Sequence, residues 1–133
     1  MTTSAVDVQD LERRVKDVYR EVALQPERTY HFDKGRSLAQ RLGYPPELLD
    51  QIPAAALESF AGVGYYLDLA SPEAGDRVLD LGSGSGTDSF ALARLVGAEG
   101  HVTGVDMTEE QLAKAERLRA QASWQNVEFV RGY

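Results

Sequence analysis

The sequence contains no cysteine, and this absence excludes several kinds of chemistry. Without thiols there is no disulfide framework, no thiolate metal site and no cysteine nucleophile. Histidine is scarce too. His31 lies alone in a polar stretch, and His101 lies alone at the start of a predicted strand. Single histidines in such places are typically surface or hydrogen-bonded side chains. We therefore predict no metal site and assign neither histidine a catalytic role.

Positive charge and long apolar runs are also scarce. The 133 residues include 14 Lys and Arg against 21 Asp and Glu, a formal net charge of −7. Nucleic-acid binding needs clustered basic residues that displace counterions, so this balance argues against such a partner. No stretch is apolar and long enough to cross a bilayer, and residues 1–10 lack the basic and apolar regions of a secretory signal. We expect a cytoplasmic protein that binds neither nucleic acid nor membrane.

The chain divides into two predicted segments, residues 1–61 and 62–133. The first is predicted to be all-helical, because apolar residues recur at spacings of three and four from Val8 to Val22 and glycine and prolines then separate shorter helices. The second begins with a loop-rich passage and then alternates strands with helices. Its predicted elements are strands over 77–81, 101–105 and 126–131 and helices over 87–96 and 109–122. This alternation predicts an α/β fold with a parallel sheet and right-handed crossovers.

The second helix of this segment opens with a recognisable signal. Thr108-Glu109-Glu110-Gln111 has the spacing of a capping box. In that motif the Thr hydroxyl and the Gln side chain bond to backbone N–H groups that have no partner within the helix. The helix is therefore predicted to begin at Glu109.

A glycine-rich segment follows the first predicted strand. Asp80-Leu81-Gly82-Ser83-Gly84-Ser85-Gly86 lies where the strand turns into a helix, which is where an α/β sheet offers a crevice to a ligand. Glycine permits positive φ and close approach of a ligand, and the amides of the turn and the helix N-terminus can meet an anion. Asp106 stands twenty residues past Gly86, where a carboxylate can accept hydrogen bonds from both ribose hydroxyls. Together these features predict an adenosine cofactor.

Two adenosine cofactors use such a turn, and two details favour one of them. A nicotinamide fingerprint reads G-x-G-x-x-G/A, but counted from Gly82 its third small position falls on Thr87. Asp80 would face a pyrophosphate unfavourably, whereas it could hold the ammonium group of an amino-acid cofactor, directly or through water. S-adenosylmethionine is therefore favoured, and a nicotinamide dinucleotide ranks below it.

These residues resemble the sequence motifs of class I S-adenosylmethionine-dependent methyltransferases over residues 77–133. Val78 to Gly86 is similar to the first motif, and Gly104-Val105-Asp106-Met107 is similar to the second. The resemblance implies the N-terminal half of a Rossmann-like fold, three parallel strands with crossover helices, behind a helical segment that acts as a lid or a packing layer. The implied cofactor-binding residues are Asp80, Gly82 and Gly84 around the methionine part, Asp106 on the ribose and Met107 against the adenine, with Leu81, Ser83 and Gly86 in the same turn.

Residues 100–108 and 126–129 extend the likeness to the arsenite methyltransferase branch. That branch binds the metalloid through cysteine thiolates, one of them in a Gly-Cys-Gly-like turn whose counterpart here is Gly62-Val63-Gly64. The resemblance therefore extends to the cofactor and its product S-adenosylhomocysteine, but not to arsenic. We expect a small-molecule methyl acceptor, and the catalytic residues stay unassigned.

Two further hypotheses concern the completeness of the fold. The class I sheet usually has seven strands and three are predicted here, so the chain is expected to be a truncated portion of an enzyme. The alternative is a non-catalytic module that binds the cofactor or associates with itself, because an open first strand invites homodimerisation or exchange of elements. Tyr65 and Tyr66 could close over the cofactor or cover the sheet.

Overall fold

The computed structural model describes residues 6–30 and 32–133. Five helices precede the first strand, and strands and helices then alternate. In chain order the elements are α1 (Val8–Leu24), α2 (Gly35–Leu42), α3 (Pro46–Leu49), α4 (Ala54–Glu58), α5 (Leu67–Ala70), β1 (Arg77–Leu81), α6 (Thr87–Val96), β2 (His101–Asp106), α7 (Glu109–Gln121) and β3 (Val127–Arg131).

The three strands form one parallel sheet in the order β1-β2-β3. The register places Asp80 beside Gly104, and Gly104 beside Phe129. Because right-handed crossovers in one direction lie on one side of a sheet, α6 and α7 cover the same face. On the other face Leu79 and Leu81 are 61% and 74% exposed. The predicted α/β class, with three parallel strands and crossover helices, is confirmed.

The apolar core lies between the covered face of the sheet and the helices. Phe90 of α6 is fully buried and contacts two aromatic rings, Trp124 at 4.9 Å and Phe129 at 5.4 Å between centroids. The segment before β1 adds Tyr44, from the connection between α2 and α3, and Leu49 of α3 to the same cluster of buried residues. The helical segment therefore packs on the α/β segment through a shared core.

The helical segment differs from its prediction in detail. The predicted amphipathic helix is α1, but Val8 and Leu11 on its apolar stripe are 71% and 51% exposed. This helix contacts α7 near its carboxyl end, where Arg20 lies 3.1 Å from Glu110, so only Val22 and Ala23 are buried. The short helix α5 falls in a passage predicted as loop, because four residues are too few to show periodicity.

The predicted helix α7 is present, but the capping box at its start is wrong. Thr108 Oγ1 has no hydrogen-bond partner, and the backbone N–H of Thr108 donates to Asp106 Oδ1 at 2.9 Å. Gln111 binds elsewhere: its Nε2 donates to the carbonyl of Tyr19 at 2.8 Å and its Oε1 accepts from Ser85. The capping box does not form because the Asp106 carboxylate accepts from the first backbone N–H and because Gln111 binds partners that are distant in the sequence.

The absence of a side chain at Gly104 lets α6 and the glycine-rich turn approach β2. A Cβ at this position would lie 2.7 Å from Ser89 Oγ, 2.8 Å from the Phe129 ring and 2.9 Å from Ser83 Cβ. Real Cβ atoms are not found so close to neighbours, so any larger residue must push α6 or the turn away from the sheet. Gly104 therefore sets the distance between the sheet and the turn.

We predict that Gly104→Ala lowers the free energy of unfolding by about 1–3 kcal/mol, because the added methyl overpacks this contact. The measurement is urea denaturation followed by circular dichroism. Thr103→Ala is the matched control, since Thr103 lies on the open face and its change should stay within about 0.5 kcal/mol. Equal effects of the two substitutions would contradict the close packing of α6 on β2.

Candidate functional site

A cavity of about 530 Å³ opens where β1 and β2 end. This volume lies within the range of small-molecule sites. The glycine-rich turn and the end of β2 form one wall, and the segment after α4 forms another. Of the residues predicted to bind the cofactor, those on the cavity wall are Asp80, Leu81, Gly82, Ser83, Gly84, Asp106 and Met107.

Gly86, the remaining predicted residue, lies beneath the turn and is buried. Its φ of 102° is in the left-handed region, and a Cβ there would lie within 3.0 Å of the Phe90 and Phe129 rings. Gly86 therefore permits the backbone conformation of the turn and the close packing of the two rings beneath it.

The turn is fixed to β2 by its own amides. Gly82 N and Ser83 N both donate to the Val105 carbonyl, at 2.7 and 2.9 Å, and Gly84 N donates to Asp106 Oδ2 at 2.9 Å. Gly86 N donates to the Ser83 carbonyl at 3.0 Å. The sequence predicted that amides of this turn could meet an anion, but these four already have acceptors. A pyrophosphate, which needs several such donors, is therefore disfavoured.

Asp106 joins the turn to the start of α7. Its Oδ2 accepts from Gly84 N and its Oδ1 accepts from Thr108 N, each at 2.9 Å. A carboxylate has about four acceptor positions, so each oxygen can accept one more hydrogen bond. Asp106 can therefore shape the turn and still hold two hydroxyl groups.

Asp80 is a largely buried carboxylate at the end of β1. Burial raises the pKa of Asp80 from 3.8 to about 6, and the negative charges of Asp88 and Asp106 add to the rise. The hydrogen bond that Ser89 Oγ donates to Asp80 Oδ2, at 2.6 Å, opposes it. The cavity thus holds an acidic group that gains from a cation beside it.

A third carboxylate, Asp88, also lines the cavity and was not singled out from the sequence. Its Oδ1 accepts a short hydrogen bond from the phenol of Tyr44, which is 2% exposed. Burial raises the pKa of Asp88, and this hydrogen bond opposes the rise. An acid in the first turn of a helix is ordinary, since it favours the helix dipole, so the sequence carried no signal of this contact.

A chain of hydrogen bonds connects the cavity wall to the helical segment. Lys114 Nζ donates to Ser59 Oγ at 3.1 Å, Ser59 Oγ donates to Ser85 Oγ at 2.9 Å, and Ser85 Oγ donates to Gln111 Oε1. Gln111 in turn donates to the carbonyl of Tyr19. Burial lowers the pKa of Lys114. The network ties α1 and α4 to the turn and to α7.

Two buried hydroxyls on the cavity wall lack partners. Ser83 Oγ and Thr108 Oγ1 belong to residues that are 8% and 4% exposed, and neither makes a hydrogen bond within the described part of the chain. A buried polar atom without a partner costs about 1–3 kcal/mol. Both oxygen atoms have almost no accessible surface, so they lie within the wall and do not face the cavity.

The tyrosines and histidines considered in the sequence analysis do not contribute to the cavity wall in the described part of the chain. The Tyr65 ring packs 4.7 Å from that of Tyr44, Tyr66 is exposed, and neither lines the cavity. His101 Nε2 lies 3.0 Å from Glu128 Oε1 on the open face, and His31 is outside the described residues. Within residues 6–30 and 32–133, no group of three or more potential metal ligands is found, and no helix is long and apolar enough to span a membrane.

Comparison with known proteins finds similarity to methyltransferases. The family model described as Methyltransferase domain matches residues 72–133, which include the turn and Asp106. The arsenite methyltransferase of Halobacterium salinarum is 42% identical over 94 residues, or 71% of this chain and 24% of that protein. The human arsenite methyltransferase is 50% identical over 64 residues, or 42% of this chain and 16% of that protein.

The chain thus spans about a quarter or less of the length of these relatives. Among solved structures, a protein-L-isoaspartate O-methyltransferase superposes with a TM-score of 0.50 at 20% identity, covering 88% of this chain and 42% of that one. This is a likeness of fold, and it agrees with the Rossmann-like architecture expected from the sequence.

We predict that Asp80→Asn stabilises the protein without ligand at high pH and not at low pH. The folded-state pKa of about 6 exceeds the ordinary 3.8, so the stability due to the protonated form is present below about pH 4 and lost as the pH rises through about 6. The difference between the two pKa values lowers the free energy of unfolding of the wild type by at most about 3 kcal/mol above about pH 7, and Asp80→Asn removes this loss.

The measurement is denaturant unfolding of the wild type and the variant across this pH range. Asp17→Asn is the control, because Asp17 is exposed on α1. An equal effect of Asp80→Asn at both ends of the range would show that the burial of charge at Asp80 is not its cause.

Proposed function

We propose that the cavity binds S-adenosylmethionine and that the protein transfers its methyl group to a small molecule, and the match of residues 72–133 to the model described as Methyltransferase domain supports this. The observation that carries the proposal is the convergence of the glycine-rich turn, Asp80 and Asp106 on one cavity wall. No part of the proposal requires a metal ion.

Asp106 is proposed to hold the ribose, because its two oxygens keep free acceptor positions after binding Gly84 N and Thr108 N. Met107 lies next to it on the wall and offers the adenine a polarisable surface. These residues fit the nucleoside part of the cofactor.

Asp80 is proposed to face the methionine part. Bound S-adenosylmethionine supplies a methyl group activated on a positively charged sulfur. The acidic wall favours that cation, whereas a nicotinamide dinucleotide would bring a pyrophosphate to a turn whose amides are engaged. The nicotinamide alternative is therefore not proposed.

Positioning is the contribution that these residues make to methyl transfer. Direct displacement requires the nucleophile, the methyl carbon and the sulfur to lie in line, and holding two reactants in that geometry lowers the barrier. The turn is held by Val105 and Asp106, and Asp80 is oriented by Ser89. The cofactor would therefore meet groups that are already in place.

The acceptor is proposed to enter beside residues 60–63, which form the wall opposite the turn. Val63 is 87% exposed and occupies the place of the cysteine in the turn that the arsenite methyltransferase branch uses. A valine offers apolar contact and no thiolate, so we do not propose arsenite as the acceptor. Residues 1–61 are proposed to cover the cavity, since Tyr19 and Ser59 line it.

We predict that the chain binds S-adenosylhomocysteine saturably in calorimetric titration and does not bind NADH. Asp106→Ala should weaken this binding at least about tenfold, because hydrogen bonds to a charged group contribute about 1.5–3 kcal/mol each. Glu99→Ala is the matched control, since Glu99 is an exposed acid away from the cavity. A folded wild type that binds neither ligand would contradict the proposal.

A second candidate function, self-association, is favoured by the edge of the sheet. Among residues 6–30 and 32–133, β1 pairs with β2 alone, and the exposed Leu79 and Leu81 lie along it. An open edge with apolar neighbours favours pairing with another strand. The occupant we propose is a second copy of this chain.

For this candidate we predict a dimer in sedimentation equilibrium at micromolar concentration. Leu79→Lys should shift the protein to monomer, because a lysine at an edge opposes strand pairing. Leu69→Lys is the control, since Leu69 is an exposed leucine of α5. A wild type that stays monomeric across this range would exclude self-association.

A further inference from the structure

A buried lysine lies behind the cavity wall. Lys114 of α7 is 6% exposed and is not itself on the wall, but its Nζ donates to Ser59 Oγ at 3.1 Å, and Ser59 is on the wall. In the described part of the chain Lys114 forms no ion pair. Buried charges usually pair with an opposite charge, so the position of this ammonium group needs another explanation.

The hydrogen-bond network that begins at Lys114 has a single direction. At its far end the Tyr19 carbonyl can only accept, so Gln111 presents Nε2 to it and Oε1 to Ser85. Ser85 must then donate to Gln111, and it accepts from Ser59 at 2.9 Å. An ammonium group can only donate. Each hydrogen bond of the network therefore points from Lys114 towards the Tyr19 carbonyl.

The surroundings of the network favour this direction. The only other acceptor that Ser59 Oγ meets among the described residues is the Ala56 carbonyl, which is 3.5 Å away and already accepts from Thr87 Oγ1 at 3.2 Å. The shorter bond to Ser85 is therefore the stronger one. The side chains of the network are at most 6% exposed, so each bond is formed in a region of low dielectric constant.

Loss of the lysine proton would release this constraint. A neutral amine has a lone pair and can accept a hydrogen bond from Ser59. Ser59 then has no hydrogen for Ser85, and Ser85 must either lose its contact with Ser59 or turn its own hydrogen away from Gln111. Each change breaks a link between the glycine-rich turn and a neighbouring helix, α4 or α7.

We propose that Lys114 is a positioning residue of the cofactor site, whose ammonium group fixes the direction of the network and so holds Ser85 of the turn to both α4 and α7. The inference rests on the proposed function, because the ligand concerned is the cofactor of that cavity. Lys114 acts through Ser59 and Ser85. Ligand affinity is therefore highest when Lys114 is protonated.

The charges around Lys114 determine where the affinity changes with pH. Burial lowers the pKa of Lys114 from its ordinary 10.5. Glu58 at the end of α4 and Glu27 before α2 oppose this change, and Arg117 of α7 adds to it. The affinity is full below the pKa of Lys114 and decreases as the pH rises through it, at a pH below 10.5.

The test is calorimetric titration with methylthioadenosine from about pH 7 to 10, because this ligand keeps the nucleoside and the sulfur but has no amino group that titrates in the range. We expect the affinity of the wild type to decrease by about three- to tenfold as the pH rises, the effect of one hydrogen bond. Lys114→Met should be weaker than the wild type by a similar factor at pH 7 and independent of pH.

Three further variants identify the group that titrates. Arg117→Gln removes a like charge and should move the decrease to higher pH, whereas Glu58→Gln removes an opposite charge and should move it to lower pH. Both side chains are exposed. Tyr133→Phe is the control, because Tyr133 lines the cavity and its pKa is lowered from 10.0 by hydrogen bonds from Lys16 and Arg131, so it could titrate in the same range. This variant should keep the decrease.

The outcomes are distinct. An affinity of the wild type that does not change with pH overturns the inference and leaves the proposed function intact. A decrease that persists in Lys114→Met, or disappears in Tyr133→Phe, belongs to another group and also overturns it. If Lys114→Met does not fold, the opposite shifts of the two charge variants decide. A wild type that binds neither methylthioadenosine nor S-adenosylhomocysteine contradicts the proposed function itself, and the inference with it.

Discussion

The attachment of the glycine-rich turn to the end of β2 is the constraint on which the site depends. The Val105 carbonyl accepts from two consecutive amides, and Asp106 accepts from a third. This attachment requires α6 to lie close to the sheet, which the missing side chain at Gly104 permits. A turn held in this way presents its side chains and its glycines with positive φ to the cavity, while its amides donate hydrogen bonds to acceptors within the protein.

The cavity therefore presents side-chain charge, and few free backbone dipoles, to a ligand. A turn that binds phosphate presents free amides to an anion. This one presents Asp80 and Asp106, with Asp88 beside them. Their negative charges favour a cation in the cavity, and residues 72–133, which match the family model described as Methyltransferase domain, include all three of these acids.

The sequence predicted the elements that local signals determine. The strands, α6 and α7 follow from apolar patterning and from glycines at their ends, and the placement of the glycine-rich turn near Asp106 follows from their spacing in the sequence. Features that depend on distant partners were missed or predicted wrongly. Asp88 accepts a hydrogen bond from Tyr44, 44 positions away, and Gln111 donates to the Tyr19 carbonyl and does not form the predicted capping box. Local pattern carries no information about which of several acceptors a side chain meets once the chain is folded.

The contacts between the helical segment and the cavity wall have a thermodynamic consequence. Tyr44 donates to Asp88, Ser59 donates to Ser85, and the Tyr19 carbonyl accepts from Gln111, so the helical segment docks on three residues that line the cavity. Ligand binding and the local unfolding of these helices are then linked equilibria, and each must shift the other by the same free energy. A filled cavity slows amide exchange in α2 to α4, and a substitution in those helices alters affinity without touching the ligand.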